Sequence, residues 1–148
     1  MTLLERLAQE LKAAMMARDA ARLSTLRLLK SAIGYAQIER KTETLSDAET
    51  VAIIQKEVKK RREAVEQFER GGRPELAAKE KQEITVLESF LPKPLTTEEL
   101  EQLVRAAIQE TGATGKKQMG QVIKAVQAKA AGRANGKAIS ELVGKMLP

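Results

Sequence analysis

The residues in this sequence best suited to meet a ligand's charge fall in one segment, Thr114-Gly-Lys-Lys-Gln-Met-Gly120-Gln-Val-Ile-Lys124, followed by Gly132-Arg-Ala-Asn-Gly136-Lys137. Lys116 and Lys117 are expected in the first turn of a helix, where the helix dipole disfavours cations. An anion there would be held jointly by free amide donors and by lysine, as at phosphate-binding helix ends. Gly120, read as helical, costs about 1 kcal/mol relative to alanine. It implies either close helix packing or room for something to approach the backbone. Gly132 to Gly136 reads as a C-cap followed by an N-cap, with Arg133 and Lys137 beside another helix start. A tight interhelical turn that happens to be basic explains the segment as well as a phosphate site does, and the residues alone leave both open. The Gly-x-x-x-x-Gly-Lys spacing of a P-loop is absent and no strand precedes the segment, so nucleotide hydrolysis is not supported.

Other chemistry is scarce. Cysteine and histidine are both absent, which removes thiolate nucleophiles, disulfides, the usual zinc and haem ligands and imidazole acid–base pairs. Glu98, Glu99 and Glu101 resemble an acid–base or metal cluster, but they occupy the first turn of an expected helix, where the dipole favours negative charge. Ser24, Thr25 and Ser31 fall in mid-helix with no base in the pattern. We therefore expect no catalytic residue, metal or cofactor. The run Lys59-Lys-Arg-Arg62 has the look of a nucleic-acid patch. However, Lys59 is spaced to face Glu63 and Arg62 to face Glu66, so a solvated face laced with ion pairs is the preferred reading. The apolar stripe Val51, Ile54, Val58, Val65, Phe68 skips the turn at Arg61 and Arg62. One guanidinium should thus sit at the core edge with its head snorkelling to water.

The elements that must position these groups all read as helices, giving an all-α fold. Leu4, Leu7, Leu11 and Met15 mark the first, with Asp19 able to cap the second. The second carries Leu23, Leu26, Leu29, Ile33 and Ala36 on one stripe. Ser46 with Glu49 forms a capping box that opens a long third helix, ended by Gly71-Gly72. Pro74 starts a fourth, burying Ile84, Leu87 and Leu91. Leu91-Pro-Lys-Pro-Leu95 cannot continue a helix. Thr96 with Glu99 forms a second capping box, Gly112 closes that helix, and Asn135 caps the last. These signals predict an N-terminal four-helix unit at 1–91, a proline hinge at 92–96 and a three-helix tail at 97–148.

Charge is unevenly placed along these elements. Of the net +6, none comes from residues 1–110, where 19 Lys and Arg balance 19 Asp and Glu. Residues 111–148 carry seven cations against Glu141 alone. Such a basic end suits phosphate or an acidic partner, with a basic solvated surface as the plain alternative. Only Tyr35, Phe68 and Phe90 are aromatic, so the core must be aliphatic. No apolar run approaches the roughly 18 residues of a membrane span, and the charged N-terminus lacks a signal-peptide stretch. We expect a cytoplasmic protein with no membrane partner.

Several stretches carry a family resemblance. Leu3-Leu-Glu-Arg-Leu7, Ser24-Thr-Leu-Arg-Leu-Leu-Lys30, Leu87-Glu-Ser-Phe-Leu-Pro92 and the end from Gly112 to Leu147 make the whole chain resemble the YqeY-like proteins. Met119-Gly-Gln-Val-Ile-Lys124 and Gly132-Arg-Ala-Asn135 are also similar to the C-terminal tail of the B subunit of tRNA-dependent amidotransferases. Those enzymes convert Glu-tRNA(Gln) or Asp-tRNA(Asn) to the amidated form, and their tail helps hold tRNA. Related modules are appended to some glutaminyl-tRNA synthetases. The resemblance implies tRNA-facing roles for Lys116, Lys117, Gly120, Lys124, Gly132, Arg133 and Asn135, to which charge adds Lys137. The B subunit's catalytic cradle lies upstream of its tail, and nothing here corresponds to it. A family label of carbon–nitrogen ligase with glutamine as amido-N-donor would thus be inherited without the residues to perform it.

The implied function is a non-catalytic tRNA-binding module, acting with tRNA directly or with an aminoacyl-tRNA synthetase or amidotransferase. Scarce aromatics argue against reading stacked single-stranded bases. About five phosphate contacts would give a log–log salt slope of roughly −3.5 to −4.5. The alternative is a protein–protein adaptor that grips an acidic partner with the tail or with the Lys59–Arg62 helix.

Overall fold

A computed structural model describes all 148 residues. Seven α-helices are present and no strand: α1 (Leu3–Ala17), α2 (Ala20–Glu39), α3 (Asp47–Arg70), α4 (Pro74–Glu88), α5 (Thr97–Thr111), α6 (Met119–Ala130) and α7 (Gly136–Met146). A short 3₁₀ turn, Lys116–Gln118, precedes α6. The chain divides into two compact units, Met1–Leu91 and Pro92–Pro148.

In the first unit, local side-chain chemistry fixes where helices start. Ser46 Oγ accepts from Glu49 N at 3.1 Å while Glu49 Oε1 accepts from Ser46 N at 3.2 Å, closing the capping box of α3. Asp19 Oδ1 caps α2 through Arg22 N at 3.1 Å. A further box at α1, Thr2 with Glu5, was within reach of the same Thr-x-x-Glu rule. The α3–α4 hairpin turns at Gly71-Gly72, where Gly72 takes φ +70°, a left-handed conformation that a side chain would strain. Leu26, Leu29, Ile54 and Leu87 are its most deeply buried side chains, and Phe90 closes the core with Arg6 stacked 4.9 Å from its ring centroid.

Expectations for α1 and for the basic run of α3 need correction. Met15 is 56% exposed, and Ala14 lies in the core instead, because the inward stripe of α1 runs 4, 7, 11, 14. Arg61 does not send its head to water. Its Nε donates to Glu83 Oε2 at 3.0 Å and its Nη1 to Glu57 Oε2 at 3.1 Å, with all three side chains less than a fifth exposed. Arg62 pairs with Glu88 on α4 at 2.9 Å, not with Glu66. Lys60, Arg61 and Arg62 are therefore held by ion pairs, two of them made across the hairpin, whereas Lys59 makes no ion pair with Glu63.

The second unit is a three-helix arrangement around Val104, Ala107, Val122, Val126, Ile139 and Val143, none more than 1% exposed. Thr96 and Glu99 form the box that starts α5, and Gly112 ends it at φ +66°. The segment after Pro92 is fastened to this unit. Leu95 N donates to Arg133 O at 2.9 Å, and Arg133 Nε donates to Lys93 O at 2.9 Å.

Candidate nucleic-acid interface

The basic groups of the second unit are positioned by α6, α7 and the turns before each. Lys116 and Lys117 lie in the 3₁₀ turn and not in α6 itself. Gly115 is extended there, and the Gln118 side chain folds back to accept from Thr114 N at 2.7 Å. That bond closes the loop and leaves the α6 start without a side-chain cap. Gly120 is the second residue of α6, where glycine weakens a helix less than it does in the interior. A Cβ built on it would meet nothing within 4 Å. Helix packing therefore does not require this glycine, and its backbone faces open space.

The predicted residues do not all converge. Gly144 on α7 lies 3.5 Å from Met119 Cε, measured from an ideal Cβ, whereas Gly136 lies 4.0 Å from Gln127 Nε2. α7 therefore runs back along α6, its end beside the start of α6. Since 12 residues of α-helix span about 18 Å, the basic residues form two groups. Lys116 and Lys117 share one end with Lys145. Gly132, Arg133, Asn135 and Lys137 lie at the other. Lys124 sits at the centre of the exposed face of α6, flanked by Gly120, Gln121 and Ala128. Lys145 was not among the residues singled out from sequence. Its membership depends on the antiparallel packing of two helices, which no local motif records.

Occupancy of the charges separates the groups further. Lys129 is paired with Glu110 at 2.7 Å and Arg105 with Glu101 at 3.8 Å. Arg133 holds the Lys93 carbonyl and lies 3.7 Å from Glu99, so much of its donor capacity serves the fold. Asn135 Oδ1 caps α7 through Ala138 N at 2.7 Å, and Gly132 forms the left-handed turn at φ +82°. By contrast Lys116, Lys117, Lys124, Lys137 and Lys145 are exposed and outside every ion pair. No cluster of three or more acidic side chains is arranged to hold a metal ion. No helix is long and apolar enough to cross a membrane.

Comparison with known proteins places this arrangement among relatives. The family model described as Yqey-like protein matches residues 4–147. A protein of Pyrenophora tritici-repentis, named altered inheritance of mitochondria protein 41, mitochondrial, is 31% identical over 95% of this chain and 81% of its own length. The protein of that name in Eremothecium gossypii is 32% identical over 60% of this chain and 48% of its own. An uncharacterised protein of Schizosaccharomyces pombe is 40% identical over 47% of this chain and 56% of its own. The chain thus spans about half of the latter two relatives.

Proposed function

This chain belongs to the YqeY-like protein family, and from that footing we propose that it is a non-catalytic module that binds tRNA through its second unit, in the manner of the amidotransferase B-subunit tail it resembles. The observation that carries the reading is the set of exposed, unpaired lysines at the α6 start and along its outer face, beside a glycine whose backbone is open. Lys116, Lys117, Lys124 and Lys145 neutralise phosphates, and Gly120 lets a backbone approach. Arg133, Gly132 and Asn135 act as positioning residues that hold the turn between α6 and α7. Lys137 is a peripheral contact at the far end.

This division alters the expected salt dependence. About four phosphate contacts give a log–log slope of roughly −2.8 to −3.6. Fluorescence-anisotropy titration of labelled tRNA with the full chain, at several salt concentrations, tests it. Exchange of Lys117 and Lys124 for glutamate should abolish most of the affinity and flatten the slope. Exchange of Lys137 should do far less. Unchanged affinity in the double variant would remove the assignment.

A further inference from the structure

The first unit presents a second surface that the proposed RNA role does not use. The outward face of α2 is apolar where a surface helix is ordinarily charged. Leu28 is 51% exposed, Tyr35 75% and Ile38 78%, while the opposite face, with Leu26, Leu29 and Ile33, is in the core. A helix apolar on both sides is normally covered on both sides. The exposed residues also follow a rule. Ser24, Leu28, Ser31, Tyr35 and Ile38 are spaced 4, 3, 4, 3, the period of a seam that packs against another helix. Ser24 and Ser31 are small and exposed, and a Cβ at Gly34 would meet nothing within 4 Å. A second helix can therefore approach closely along this face. Shallow hollows run beside it, one between Leu23, Arg27 and Ser31, another between Gly34, Ile38 and Thr42.

Charge selects among occupants. Arg22 and Arg40 are neutralised by Glu10 and Glu49, but Arg18, Arg27, Lys30 and Lys41 are exposed and in no ion pair. Facing acids are few. Asp19 is engaged as the α2 cap, and Glu39 and Glu43 lie only at the far end. A second copy packed parallel would bring the same unpaired cations to the first half of the seam, and packed antiparallel would offer that half only Glu39 and Glu43, with Arg40 and Lys41 beside them. A lipid surface calls for a broad apolar face, whereas this one is narrow and broken by serines. We infer that the Ser24–Ile38 face of α2 is the docking seam for an acidic amphipathic helix of a partner protein, its apolar residues meeting Leu28, Tyr35 and Ile38 and its carboxylates meeting Arg27 and Lys30.

The test uses the full chain and two synthetic helices of about three heptads, with leucine at the seam positions. One carries glutamate at the flanking positions and the other carries lysine. The acidic helix should bind about tenfold or more tighter than the basic one, and Tyr35→Glu or Ile38→Glu should each lower its affinity by about tenfold. Thermal unfolding of both variants should match the parent, since neither side chain is in the core. Equal binding of the two helices, or no binding of either, would overturn the inference. So would sedimentation showing a dimer that Ile38→Glu dissociates, or binding to phosphatidylserine vesicles in place of the acidic helix.

Discussion

Arg61 and Lys124 show how differently two basic residues of one chain are employed. The Arg61 guanidinium is clamped between Glu57 and Glu83 across the α3–α4 hairpin, largely shielded from water. Replacing it with alanine leaves two largely buried carboxylates without their cation, and should destabilise the chain by about 2 kcal/mol in denaturant unfolding, below the full cost of breaking a buried pair. Beside this network, burial and the neighbouring Glu83 push the Glu80 carboxyl above its ordinary range, with Arg61 opposing. A raised carboxylate pKa means that folding favours the protonated form, so the ionised form is a liability above the glutamate range. Glu80→Gln should therefore stabilise at neutral pH, by no more than about 0.5 kcal/mol. The gain should fade as pH drops through the range where glutamate protonates, and paired melts at pH 7 and pH 4 would check it. The Arg61 cluster was only partly legible in the sequence. The break in the apolar stripe announced an unusual arginine, but Glu83 lies 22 residues away, beyond any i,i+4 rule.

At the scale of elements, what could be read from sequence was what neighbouring residues decide among themselves. Ser46 with Glu49, Thr96 with Glu99, Asp19 and Asn135 all cap the helices expected of them, because a cap is a bond between residues three apart. Asn135→Ala should cost about 1 kcal/mol, measurable as a lowered melting temperature. It should weaken RNA binding only as far as it loosens the α6–α7 turn. What escaped was decided between elements. The return of α7 along α6 separates Lys137 from Lys117 and brings Lys145 to the α6 start. The outward stripe of α2 went unassigned for a related reason. Leu28, Tyr35 and Ile38 fall outside the inward stripe that the sequence marks, but that no other helix covers them shows only once the elements are packed. The 3₁₀ turn at Lys116–Gln118 also depends on a side chain, Gln118, reaching back to Thr114.

At the scale of the whole molecule, the two compact units have different characters. Residues 1–110 are electrically balanced, and about half of the first unit's cations are held in ion pairs, the largely buried Arg61 among them. The second unit leaves lysines unpaired on a small aliphatic core, a distribution that favours a polyanion and a salt-dependent affinity. The charge asymmetry was evident from sequence, since it needs only counting, whereas which cations are engaged required the fold. The most direct test of the RNA reading is the titration of labelled tRNA with the full chain across a salt series, comparing Lys124→Glu with Lys137→Glu. Binding should be micromolar or tighter at low salt, with a log–log slope of roughly −3 and a much larger loss for Lys124→Glu. No binding at low salt, or equal losses from the two variants, would contradict the RNA reading.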